Sequence, residues 1–148
     1  DRPRRGRWLA AGAGAAGAHA ASIVIKRLVR RPRPQDPLVR VGVSTPSRLS
    51  FPSSHATSST AAALLIGHAS GTPVAAAVVP AMALSRLVLG VHYPSDVAAG
   101  TIVGAVSALA VGRLRHRVPF LADGAPSRGL GADAGARRPR VSESEGTA

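Results

Sequence analysis

Between residues 41 and 112 the chain carries only three charged side chains, Arg48, Arg86 and Asp96. The other Lys and Arg residues gather outside that stretch. They stand at the start (Arg2, Arg4, Arg5, Arg7), in the run from Lys26 to Arg40, and from Arg113 onward. Apolar segments of helical length set between basic blocks are the pattern of a chain built against lipid. A formal net charge of +12 would otherwise point to nucleic acid. A nucleic-acid domain, however, spreads its charge over one face and interleaves aromatics, and aromatics are only 3% here. No nucleic-acid partner is therefore expected. A soluble Ala-rich bundle is the alternative, and the lack of amphipathic charged faces speaks against it.

Four apolar segments are visible: about Trp8 to Val29, Pro52 to about Ser70, about Pro73 to Leu89, and Pro94 to about Gly112. Each runs roughly 17–22 residues, near the ~20 that cross a bilayer core. None alternates as a strand does. The predicted fold is an all-α transmembrane helical bundle with about four spans. The 29 alanines, with glycine and serine, suit close helix–helix approach. Pro52 and Pro94 stand where a first helical residue belongs, since proline lacks the N–H that goes unused there. Gly71-Thr72-Pro73 reads as a tight turn. Residues 32–51 hold four prolines and read as a long irregular loop. The predicted organisation is a membrane-embedded domain over 1–117 and a disordered polar tail over 118–148. No cleavable leader is evident, and without an initiator Met the chain reads as a fragment. Cysteine is absent, which excludes disulfides, thiolate metal sites and a cysteine nucleophile.

Three clusters carry chemistry. Lys26 is the only lysine among 18 arginines, which suggests a site wanting a compact ammonium; drift at a membrane edge is the plainer reading. Arg33-Pro34 follows seven residues later. The second cluster is Phe51-Pro52-Ser53-Ser54-His55. If Pro52 opens a helix, the amides that follow lack intrahelical partners and form an anion site, with Ser53 as a further donor and His55 beside it. A simple capped helix start with an incidental histidine is the alternative. The third cluster is Ser85-Arg86, then His92, then Asp96. Ionisable groups within apolar segments are costly and functional by default. Four residues after His92, Asp96 can reach the imidazole and make its other nitrogen nucleophilic. An Arg86–Asp96 structural ion pair is the alternative.

Taken together, these clusters resemble the signature of the type 2 phosphatidic acid phosphatase superfamily: K-x6-R-P, P-S-G-H and S-R-x5-H-x3-D. Order and internal spacings match over about residues 8–115, with Ser54 replacing the usual glycine. The resemblance implies that His92 attacks phosphorus and forms a phosphohistidine, that Asp96 orients it, and that His55 protonates the leaving group. It implies that Lys26, Arg33, Arg86, Ser53 and Ser54 hold the phosphoryl oxygens. Such cations do the work that a metal often does in phosphoryl transfer, so neither metal nor cofactor is expected. Ser54 is expected either to crowd the phosphate or to add a hydrogen bond. Crowding is favoured, and Ser54→Gly is expected to raise the rate.

The expected function is therefore a metal-independent lipid phosphate phosphatase acting on phosphatidic acid, a prenyl phosphate or diphosphate, or a prenyl-linked sugar phosphate. Alternatives are a soluble acid phosphatase or vanadate-dependent haloperoxidase with the same site, or a non-catalytic membrane anion-binding protein. Counting crossings puts all three clusters at one side of the bundle. The basic flanks lie at the other, so the positive-inside rule places the site on the outer face of a bacterial plasma membrane. The superfamily usually has six spans. An N-terminal pair is then missing or supplied by a partner, a second copy included.

Overall fold

The computed structural model describes residues 2–35, 41–45 and 47–115. Four helices follow in order: α1 (Arg2–Val29), α2 (Ser54–Ser70), α3 (Val74–Val88) and α4 (Pro94–Arg115). Among the described residues there is no strand, only an isolated antiparallel bridge between Pro32 and Leu49. The described residues are all-α, as the sequence pattern predicts. Residues 118–148, expected to form a disordered tail, lie outside the described residues.

Local signals explain the boundaries. α1 begins at Arg2, before the apolar stretch, because arginine is itself a good helix former. Pro94 opens α4 as expected. Pro52 does not open α2. Ser53 is the cap, extended at φ −70° and ψ 108°, and its hydroxyl accepts from the Ala56 amide. The Ser53 amide in turn donates to the Asp96 carbonyl at 2.9 Å, so a tertiary contact holds the cap outside the helix. Gly71, at φ 75°, ends α2 with its N–H on the Gly67 carbonyl. α4 runs past Gly112 to Arg115, where arginines suit the negative end of the helix dipole.

Helix α2 is the hub and packs on all three others. Contact with α4 is close because Gly100 and Gly104 face it. A Cβ on Gly100 would come 2.6 Å from the Ser53 carbonyl, and one on Gly104 2.9 Å from the Thr60 Cβ. Small or hydroxylated residues fill the interior: Ala18, Ala61, Ser22, Thr57 and Thr60 are buried. Large apolar side chains point outward, among them Ile102, Val106 and Leu109 along α4. That is the reverse of a soluble domain, whose large aliphatics are the residues most often inside. It is what lipid permits, since tails are as apolar as leucine and packing favours small residues. Two helices are long and apolar enough to cross a membrane, over Arg5–Val29 and Pro94–Arg115; α3 is apolar but shorter.

Candidate active site

Four helix ends converge. Lys26 lies in the last turn of α1, and His55 in the first turn of α2. Arg86 lies in the last turn of α3, and Asp96 in the first turn of α4. The chain leaves α1 through Arg30, whose amide donates to the Lys26 carbonyl at 3.0 Å. Arg30 is left-handed at φ 52°, uncommon for a residue with a Cβ. The following segment lies against residues 48–50: the Ser50 amide donates to the Arg31 carbonyl at 2.8 Å, and the Arg33 amide to the Arg48 carbonyl at 3.2 Å. This pairing is what brings Arg33 to the mouth of the bundle.

A pocket of about 690 Å³ opens there, lined by Lys26, Arg33, Ser54, His55, Arg86 and His92 among others. Lys26 Nζ donates to the Leu49 carbonyl at 3.3 Å. Arg33 donates through Nε to the Ser47 carbonyl at 2.8 Å and through Nη1 to the Val91 carbonyl at 2.7 Å. Arg86 reaches the Ser85 hydroxyl at 3.1 Å, and its buried Nε has no partner. With Arg27, which also lines it, four cations thus share a pocket whose wall contains no carboxylate. A bound anion is the ligand that arrangement favours.

His92 is buried, with Nε2 3.4 Å from Arg33 Nη1. Its Nδ1 lies 3.6 Å from Asp96 Oδ2, beyond hydrogen-bonding distance, and has no other partner. Burial, then the Arg33 and Lys26 cations, push the imidazole down to about 4 against the opposing pull of Asp96. Near pH 7 the ring is therefore neutral. A proton on Nδ1 facing the carboxylate leaves the Nε2 lone pair toward the pocket. A long contact of this kind in an unliganded pocket commonly tightens when a ligand binds.

Asp96 is fully buried. Its Oδ2 accepts from the Tyr93 amide at 2.9 Å, and its Oδ1 from Arg31 Nη1 at 3.0 Å. The carboxylate's ion-pair partner is therefore Arg31, not Arg86. Nothing in the sequence singles out Arg31, which lies in a run that includes Arg27, Arg30 and Arg33. Ser53 stands behind the pocket, its hydroxyl and amide both engaged in the cap. Ser54 lines the pocket, and its hydroxyl pairs at 2.9 Å with that of Ser22, a fully buried residue of α1. His19 also lines the pocket, although it belongs to no motif. Its spacing of seven from Lys26, two helical turns, was the signal that could have found it. Among the described residues no group of three or more His, Asp or Glu side chains is placed to hold a metal.

Residues 7–119 match the PAP2 superfamily. The chain belongs to that superfamily. Within this PAP2 domain the three separated motifs meet at one end of the bundle, in the order their spacing implies. The chain is 60% identical over 121 residues to a decaprenylphosphoryl-5-phosphoribose phosphatase of Mycobacterium tuberculosis, covering 78% of the chain and 68% of that relative. It is 65% identical over 97 residues to the protein of the same name from Mycolicibacterium smegmatis, covering 66% of the chain and 54% of that relative. No solved structure matches the chain.

Proposed function

We propose that this PAP2 domain is a metal-independent lipid phosphate phosphatase that works through a phosphohistidine. Its substrate is a prenyl-linked sugar phosphate of the kind named for its relatives, decaprenylphosphoryl-5-phosphoribose. The observation that carries this reading is the pocket itself, where four cations (Lys26, Arg27, Arg33, Arg86) and three imidazoles (His19, His55, His92) converge without a carboxylate among them.

In the first step the His92 Nε2 lone pair attacks phosphorus. An N–P bond forms as the P–O bond to the sugar breaks, and His55 gives its proton to the departing oxygen. In the second step water attacks the phosphohistidine. His55 takes the water's proton, the N–P bond breaks, and inorganic phosphate leaves. Lys26, Arg33 and Arg86 surround the equatorial oxygens, where charge develops. The Ser54 and His55 amides, at the start of α2, add donors at the positive end of the helix dipole. Ser53 contributes through the cap that orients that turn. A pocket of about 690 Å³ holds far more than a phosphate, which leaves room for the sugar.

All four helices cross the membrane in this reading, α2 and α3 as the shorter pair joined by the Gly71-Thr72-Pro73 turn. The site then faces outward from the plasma membrane, with the basic ends of α1 and α4 inside. A second copy or further spans complete the lipid-embedded assembly. Detergent-purified protein, offered a panel of lipid phosphates with and without EDTA, tests the reading. Phosphate release from a prenyl-linked sugar phosphate that survives EDTA is expected. Release that requires an added divalent cation would overturn it.

A further inference from the structure

We infer that Arg31, which lies outside the three motifs, is a positioning residue for the Asp96 carboxylate and through it sets the proton affinity of His92. The inference rests on the phosphohistidine reading above. Asp96 is fully buried, and a carboxylate there is costly unless every oxygen is satisfied. Arg31 Nη1 holds Oδ1 at 3.0 Å and the Ser95 hydroxyl at 2.7 Å. The Tyr93 amide holds Oδ2. The same Oδ2 lies 3.6 Å from His92 Nδ1.

Arg31 is itself held by two further residues, Tyr93 and Ser50. Its guanidinium lies over the Tyr93 ring, 4.1 Å from the centroid, where the ring's negative face attracts it. Its carbonyl accepts from the Ser50 amide at 2.8 Å and from the Ser50 hydroxyl at 3.3 Å. Its side chain does not line the pocket, whereas that of Arg33, two residues on, does. Two arginines of one short segment therefore serve different ends: Arg33 faces the substrate, and Arg31 faces the carboxylate behind the nucleophile.

The consequence is electrostatic as well as geometric. The charged and titratable groups around His92 are Lys26 of α1, Arg33 of the following segment and Asp96 of α4, with Arg27 and His19 of α1, Arg86 of α3 and His55 of α2 lining the same pocket. Arg31 offsets the one negative charge in that set. Without it the full carboxylate charge faces Nδ1, the imidazolium is favoured, and His92 becomes more basic. The carboxylate also loses the contact that fixes its rotation, so the imidazole aims less well.

Rates of Arg31→Gln and wild type on one lipid phosphate across pH test this, since the substrate's own titration is then common to both. In Arg31→Gln, kcat should fall roughly 10- to 100-fold, the scale of a misaligned reacting group. KM should stay within about threefold. The acid limb of kcat/KM should move up by about one pH unit. Arg31→Lys keeps the charge but not the planar guanidinium that lies over Tyr93, so its limb should stay put while kcat recovers only in part. If Arg31→Gln does not fold, Arg31→Lys carries the test, and a wild-type kcat in that variant overturns the inference. So does an unmoved limb in folded Arg31→Gln, or a tenfold higher KM at unchanged kcat, which would make Arg31 a phosphate ligand. Rapid acid-free quenching of wild type with labelled substrate separates the two readings. Absence of a base-stable, acid-labile phosphoprotein would remove the phosphohistidine mechanism itself, whatever Arg31 does.

Discussion

In the proposed mechanism the nucleophile has to be neutral to attack, and burial, with Arg33 and Lys26, favours the neutral form of His92. A lowered pKa on a histidine means the neutral form persists as pH falls below 6.5, and protonation waits until about 4. The ring nitrogens of His92, followed by NMR in micelles, should therefore report a neutral ring at pH 5; a midpoint near 6.5 would contradict this. His92→Ala should abolish turnover. Asp96→Asn should keep substrate binding and lose most of the rate, as judged by kcat against KM. Ser54 has acquired a partner that its motif position did not suggest, the buried hydroxyl of Ser22. Ser54→Gly and Ser22→Ala should each cost about 1 kcal/mol of stability, the worth of one hydrogen bond. The double variant should cost less than the sum, because both changes remove the same bond. Additive losses would show that the pair does not couple. Ser54→Gly should still be assayed for rate, since its Cβ borders the pocket.

Between helices, stability depends on how closely backbones approach. Gly104 meets the Thr57 carbonyl and Thr60 across the α2–α4 contact, and Gly100 meets the Ser53 carbonyl. Backbone cannot yield as a flexible side chain can. Gly104→Ala should cost roughly 1–3 kcal/mol by overpacking, and it should also lower activity, because α2 carries His55. Gly17 of α1 has nothing within 4 Å of its would-be Cβ. Gly17→Ala should be neutral or gain up to about 1 kcal/mol from helix propensity. Unfolding of the purified variants in detergent distinguishes the two. Equal effects at both glycines would refute the close-packing account. The α2 boundary makes the same point: Pro52 reads as a first helical residue, yet the bond from the Ser53 amide to the Asp96 carbonyl goes with a helix that begins two residues later, at Ser54.

The arrangement of the whole chain puts the site at one end of the bundle and the Gly71-Thr72-Pro73 turn at the other. Because the chain has no cysteine, single cysteines can report which end faces which side. Val41→Cys, on the exposed segment beside the site, should react with a membrane-impermeant maleimide on intact cells. Thr72→Cys should react only after lysis. The opposite result would invert the proposed orientation. Vanadate should inhibit by adopting the five-coordinate geometry of the transition state, measured as loss of phosphate release.

Composition and spacing were enough for several conclusions. A chain with three charges between residues 41 and 112 had to be apolar helices. The intervals from Lys26 to Arg33, from Ser53 to His55 and from Arg86 through His92 to Asp96 singled out residues of which Lys26, Arg33, His55, Arg86 and His92 line one pocket. Both are legible because helical periodicity is local, and because charge in an apolar setting is too costly to be incidental. The tertiary structure alone decided which cation serves which carboxylate. Arg31 and Arg33 are chemically identical and two residues apart, and only the pairing of their segment with residues 48–50 directs one to Asp96 and the other to the pocket. The same holds for Ser22 with Ser54, partners separated by 32 residues. Hydrogen bonds at such separations depend on how helices pack, and packing is a property of surfaces that no run of neighbouring residues records.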